Sequence, residues 1–272
     1  MGHPQIAAFA RLANGSPRAV RKLEGQKTEL GRVIHGIAYD PIHDEFMVPS
    51  QLAQAIQVFR GGADGEEAPI RVIQGSRTQL RALDTVALDP VHNEIFVPLN
   101  YAILVFAREA TGNVAPIRIL KVPADGTMRF GMAAVDATRN LLVVSGGLGR
   151  NQPRLFIFNR TDEGYANPKA VIGGPKSGFR GAGGPFAITP ASWIVATQPA
   201  PGGDHNRWSG ESYVGVWNVQ DNGDVPPAWT LAGPQGILQR PKGLSLDIKN
   251  KSVIVSDKGL NAILTFQVPE IF

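Results

Sequence analysis

The stretch IAYDPIHDEFMVP, residues 37 to 49, returns as VALDPVHNEIFVP at residues 86 to 98. In each copy two apolar segments flank Asp-Pro and a few polar residues. Asp can hydrogen-bond its own backbone and Pro pre-sets φ, so the pattern reads as two antiparallel strands joined by a tight turn. His43 and His92 hold the same turn position, which raises a second reading, a metal site made twice. A metal needs ligands that converge within a few ångströms. Turn tips of successive repeats diverge, so the turn reading is preferred and no metal ligand is assigned.

Anchoring each unit on the end of its first strand extends the repeat to Asp40, Asp89, Asp136, Thr189 and Asp247, at spacings of 49, 47, 53 and 58 residues. These intervals lie near the unit lengths of propeller blades. Within each interval the order is constant. The first strand reads GIAYD, TVALD, MAAVD, PFAIT or GLSLD. The second reads EFMVPS, EIFVPLN, LLVVSGG, SWIVATQ or SVIVSDK, and the third AIQVFRG, AILVFAR, RLFIFNR, YVGVWNV or AILTFQV. Their β-branched and aromatic content suits half-buried strands. A proline introduces the fourth, in APIRVIQG, APIRILKV, NPKAVIGG and PPAWTLAG. That suits an edge, because proline cannot donate to an interior ladder.

Four strands repeated about five times predict an all-β chain, a β-propeller of four-stranded blades forming one domain over 1–272. Blades are expected over 36–75, 85–121, 131–173 and 184–233. The last unit, 243–268, carries strands one to three only. The N-terminal SPRAVRKLEG matches the missing fourth, so residues 5–25 are expected to complete the C-terminal blade and close the array. Five inner strands give five blades. The preceding IAAFAR also has the pattern of a third strand, and counting it so gives six.

Composition agrees. Thirty-one Gly and 21 Pro without a Gly-X-Y period indicate many turns and short elements, and 43% hydrophobic residues allow a sizeable core. The absence of cysteine excludes disulfides, thiol catalysis and Cys-based zinc or iron–sulfur sites. No run of about 18 apolar residues exists, so no membrane insertion is expected. Met1 to His3 read as a cloning remnant after a removed signal, placing the protein in the periplasm or outside the cell ahead of the cytoplasm. The net charge of +4 is dispersed, with only PRAVRK locally basic, and nucleic acid is not an expected partner.

The run GIAYDP…FMVPS…IQVFRGGADGEEAPIRVIQGSRTQL, with ATGNVAPIRIL at 110 to 120, resembles the blade consensus of bacterial NHL-like β-propellers. In that consensus G-I-A-x-D, a short hydrophobic strand, I-x-V-F, G-N-x-x-P-x-R-x-I and G-x-x-T-x-L follow in order. The resemblance covers nearly all of the chain and implies architecture. Such superfamilies include binding scaffolds, lyases and metal-dependent lactonases of the regucalcin type. The lactonases set an early-blade Glu, two Asn and an Asp around one divalent ion. Here the strand-two ends offer Asn100 and Asp257, but Pro49 and Ser50 stand in the first unit, so that ligand set does not carry over and no cofactor is expected.

Propeller ligands usually meet the loops from strand four to the next strand one. In this chain those loops read QKTELGRVIHG, SRTQLRALDT, DGTMRFGM, KSGFRGAGGP and PQGILQRPKG, and each carries one arginine: Arg32, Arg81, Arg129, Arg180 and Arg240. Turned inward, their guanidiniums suit a carboxylate or phosphate. The competing reading is that each braces its own loop on nearby carbonyls or pairs with Glu29 and Asp84. Unit three inserts GGLGRNQP and unit four inserts PAPGGDHNRWSGE, the latter supplying Trp208 as a stacking face and His205 as a base. His35, beside the first inner strand, is the better catalytic candidate. No G-x-S-x-G elbow, H-E-x-x-H, P-loop or dinucleotide fingerprint is present.

The sequence thus points to a non-catalytic ligand- or protein-binding scaffold, with an anion site at an arginine-lined channel mouth. Its partner would be a protein or a small anionic ligand, and it could serve as a subunit of a larger assembly. The alternative is a propeller enzyme, a lyase or lactone hydrolase, using the same pocket with His35 and His205.

Overall fold

A computed structural model of the chain describes residues 4–123, 127–149, 152–181, 184–200, 211–232 and 237–272. The strands follow one another through antiparallel pairings. A two-stranded sheet, β1 (Gln5–Ala8) with β2 (Arg21–Glu24), comes first. Four four-stranded sheets follow. The first is β3 (Ala38–Asp40), β4 (Glu45–Ser50), β5 (Ala55–Arg60) and β6 (Arg71–Gln74), and the second is β7 (Ala87–Asp89), β8 (Glu94–Leu99), β9 (Ala102–Ala107) and β10 (Arg118–Lys121). Next come β11 (Met128–Asp136), β12 (Leu141–Leu148), β13 (Pro153–Asn159) and β14 (Ala170–Ile172), then β15 (Phe186–Ile188), β16 (Trp193–Gln198), β17 (Tyr213–Asn218) and β18 (Trp229–Leu231). A three-stranded sheet, β19 (Pro241–Asp247), β20 (Ser252–Asp257) and β21 (Ala262–Gln267), ends the series.

The residues group into two compact units, Met1–Leu99 with Leu104–Ile119, and Asn100–Ile103 with Leu120–Phe272. In the first unit the inner strands β3 and β7 touch; in the second, β15 touches both β11 and β19. Apolar side chains fill the space between successive sheets. In the first unit Leu23 of β2 meets Phe46, Val48 and Phe59 of the next sheet, and the Phe46 and Phe59 rings stack at 5.2 Å. In the second, Trp217 is fully buried against Val143, Leu155 and Ile172 of the preceding sheet.

The repeated Asp-Pro hairpin is a turn built from its own side chains. Asp40 Oδ1 accepts the amides of Ile42 and His43 at 2.9 and 3.0 Å, while Asp40 Oδ2 lies 2.8 Å from His43 Nδ1. Asp89 repeats the set with Val91 and His92, the ring contact being 2.7 Å. Asn250 takes the histidine's place beside Asp247, and Arg139 takes it beside Asp136. The turn then closes through a left-handed residue, Asp44, Asn93, Asn140, Ser192 or Lys251 in the five units. Asn and Asp tolerate that conformation better than bulkier side chains. Each histidine is therefore a turn brace.

A second repeated device joins neighbouring sheets. The outer strand of one sheet bridges, in parallel, a glycine in the loop after the third strand of the next: Leu23 to Gly65 and Ile73 to Gly112 in the first unit, Leu120 to Gly164 and Ile172 to Gly223 in the second. These glycines have φ between 61° and 85°. The residue after the glycine reaches further back. Glu66 accepts the Gln26 amide, Asn113 the Arg77 amide, and Asp224 the amides of Lys176 and Ser177. Thr28, Thr78 and Ser177 hold the loop that supplies these amides, their hydroxyls donating to the carbonyls of Gly25, Gly75 and Gly174. The G-N and G-x-x-T elements of the repeat are thus two halves of one inter-sheet clasp.

The chain start departs from expectation. Residues 16–25 were to supply the outer strand of the last sheet, yet β2 pairs with β1, in register from Gln5↔Glu24 to Ala8↔Arg21. The β19–β21 sheet has three strands. Of IAAFAR, Ile6–Ala8 lie in β1, which makes a separate two-stranded sheet with β2. The connection Phe9–Val20 makes β1 and β2 a local pair that a short loop closes.

Candidate functional site

The loops that enter the inner strands are held by the ends of the second strands. Gln198, fully buried, accepts the Arg180 amide at 2.7 Å through Oε1. Asp257, 2% exposed, accepts the amides of Gln239 and Arg240, and on its other side those of Gly259 and Leu260. In the first unit Gln57, from the third strand, donates to the carbonyls of Thr28 and Glu29. Backbone groups that would otherwise be buried unpaired are satisfied in this way. Asp257, a metal-ligand position by resemblance, is occupied as a loop brace.

The five arginines have different fates. Arg180 is half-buried; its guanidinium lies 5.0 Å over the Tyr213 ring and donates to the carbonyls of Glu211 at 3.0 Å and Pro199 at 3.4 Å. The Tyr213 hydroxyl in turn donates to the Gly178 carbonyl, and burial pushes its pKa up. Arg180 is therefore a bracing residue. Arg129 sits at the start of β11 with its guanidinium 5.8 Å over the ring of Tyr101, a residue 60% exposed in the turn between β8 and β9. Arg240 is half-buried and donates its amide to Asp257. Near it, burial and the adjacent charges of Arg240 and Lys258 hold the Lys242 ammonium below the usual lysine value.

In the first unit Arg32 is exposed, and Arg81 lines an open cavity of about 600 Å³ with Gln54, Gln74, Ser76 and Gln79. His35 Nδ1 lies 2.8 Å from Asp84 Oδ1, both side chains being about half exposed. His205 and Trp208 lie outside the described residues. Sequence reasoning missed Tyr101, Tyr213 and Gln198. Their signal was positional: each stands where a second strand ends or a third begins.

No protein-family profile matches the chain, and no curated protein does. Among solved structures, one described as the crystal structure of a nidogen/laminin complex is similar, with a TM-score of 0.51 over 87% of this chain and 80% of that one. The fold is a β-propeller. At 18% identity the likeness concerns the fold alone. Among the described residues of this propeller, no helix is long and apolar enough to cross a membrane.

Proposed function

We propose that the protein is a non-catalytic, NHL-like binding scaffold that engages a protein partner through the loops entering its inner strands together with the turns between second and third strands. The stack of Arg129 on Tyr101 carries this reading. Arg and Tyr are enriched at the energetic centres of protein interfaces, where they bring large contact area and directed donors. The similar chain's presence in a nidogen/laminin complex supports the same class of function. The enzyme alternative would rest on His35. Its pairing with Asp84 stands in open solvent, with side-chain exposures of 53% and 57%, and such a pair excludes no water from a reaction.

The test is quantitative affinity capture from the source cells with the wild type and with Tyr101→Ala/Arg129→Ala. A polypeptide retained by the wild type and lost from the double variant is expected. Identical capture by both proteins would refute the reading, as would turnover of a lactone panel that is lost in His35→Ala.

One observation favours a second reading, an anion site. The cavity at Arg81 is lined by a guanidinium, side-chain amides and a hydroxyl, and by no carboxylate. Titration calorimetry with phosphate and with citrate is expected to show binding that weakens at least about tenfold in Arg81→Ala, the loss of a charged hydrogen bond. Equal affinities would remove it.

A further inference from the structure

Three cations meet where the chain enters β19. Two steps along this strand, from Pro241 to Gly243, face one step along β20, from Asp257 to Ser256, so Lys242 is the extra residue of a β-bulge. A bulge re-aims the side chain that it carries. Arg240 stands two residues before it, and the Lys258 amide donates to the Arg240 carbonyl at 2.9 Å. Main-chain geometry thus gathers Arg240, Lys242 and Lys258, where the loop entering β19 meets the turn between β20 and β21. Both lysines are exposed and Arg240 is half-buried. Partial burial first, and then the charges of Arg240 and Lys258, hold the Lys242 ammonium below its ordinary value, so the three charges are close enough to repel.

Most described acids of the second unit are engaged elsewhere. Asp257 lies between Arg240 and Lys258, 2% exposed, with its carboxylate spent on the amides of Gln239, Arg240, Gly259 and Leu260. Asp136, Asp162, Asp221 and Asp247 accept amides in their own turns, and Asp224 accepts those of Lys176 and Ser177. Glu163, Glu211 and Glu270 are exposed. Among the described residues, no carboxylate forms an ion pair with Lys242 or Lys258.

The strength of exposed ion pairs decides what kind of ligand fits. Each multiplies an affinity by about five at most, so three together give about a hundredfold and leave a lone small anion in the millimolar range. A polypeptide segment with several carboxylates makes the same pairs and adds contacts along the loop and turn on either side. It also gains in rate, since a cluster of one sign steers the approach of the opposite sign.

We infer that Arg240, Lys242 and Lys258 form a docking site for an acidic segment of a partner protein. This rests on the reading of the protein as a protein-binding scaffold. The site stands on the same kinds of loop and turn, in the same compact unit, as Arg129 and Tyr101, and it specifies the charge of the segment that the partner presents.

The probe is fluorescein-labelled octaglutamate, titrated into the full chain by fluorescence anisotropy at low and at physiological ionic strength. Saturable binding is expected, weaker at the higher salt. Lys242→Gln/Lys258→Gln, at two exposed positions, should melt as the wild type does and weaken binding about tenfold, the value of two exposed pairs. Lys242→Arg keeps the charge and should bind as the wild type. Lys249→Gln/Lys251→Gln removes the same charge from the turn between β19 and β20, at the other end of these strands, and should leave binding as it is. Absence of saturation, equal binding by the Lys242→Gln/Lys258→Gln protein, or equal loss in both double variants would overturn the inference. So would a labelled octathymidylate that binds more tightly than octaglutamate and is lost in the same variant, because nucleic acid would then hold the site. Partner capture that depends on Tyr101 and Arg129 but not on Lys242 and Lys258 would discard this site alone and leave the scaffold reading standing.

Discussion

The side-chain oxygen of Asn113 accepts the main-chain amide of Arg77 at 2.7 Å across a separation of 36 residues. Glu66 does the same for Gln26, and Asp224 for both Lys176 and Ser177. Asn113→Ala should cost about 1 kcal/mol, the value of a lost side-chain cap, and Asp224→Ala more, since two amides lose their acceptor. Urea midpoints measure both. Unchanged midpoints would mean that the clasp follows from packing and does not contribute to it.

Glu45 joins two strands and the following sheet. Its carboxylate accepts from Arg71 and from Arg108, whose side chains are 19% and 9% exposed. Removing Glu45 takes the carboxylate from Arg71, while Arg108 keeps Asn93 and Glu109, so Glu45→Ala should cost about 3 kcal/mol, the low end for a broken buried pair. Glu94→Ala, which breaks a pairing with Arg118 of the same type, should cost a similar amount. The third and fourth sheets hold Leu141 with Ala170, and a Trp193–Trp229 edge contact at 4.5 Å, in the same places. Those sheets should be indifferent to pH at this position.

Acid should weaken the first unit. The Arg71 hydrogen bonds, against a burial penalty, hold the Glu45 carboxyl below its ordinary value, with Arg108 adding to the effect. Burial works to raise the Asp40 carboxyl, but the His43 ring and the amides of His43 and Ile42 together outweigh it and hold it low. A depressed folded-state pKa gives stability that is complete above the unfolded value, about 4 for these groups, and is lost as pH falls through the folded value. Melting temperature should therefore be flat from pH 7 to 5 and fall below about pH 4. Glu45→Gln should flatten the fall. An identical acid slope in that variant would assign the effect elsewhere.

His43 and His92 bond to the carboxylates that begin their own turns. Zinc should leave the melting temperature of the wild type unchanged relative to His43→Ala/His92→Ala. The double substitution should cost about 1 to 2 kcal/mol in lost hydrogen bonds. A zinc-dependent rise seen only in the wild type would restore the metal reading.

Much of the fold was legible because each strand type carries its own chemistry. EFMVPS became β4 at Glu45–Ser50 and AIQVFR became β5 at Ala55–Arg60. The partner of β2 was not legible. IAAFAR and AILTFQ share the third-strand pattern, and the pattern alone does not say which of them pairs with β2. The arginine spacing was visible, but the fate of each guanidinium depended on aromatic residues distant in sequence. Tyr213 captures Arg180 from 33 positions away, and Tyr101 meets Arg129 across 28.

Hydrogen exchange on the protein with its captured partner bound tests the binding account most directly. Slowed exchange is expected at the β8–β9 turn around Tyr101 and at the start of β11 around Arg129, with the Asp-Pro hairpins at His43 and His92 unchanged. Protection confined to those hairpins, with residues 99–102 and 127–131 exchanging as in the free protein, would contradict it.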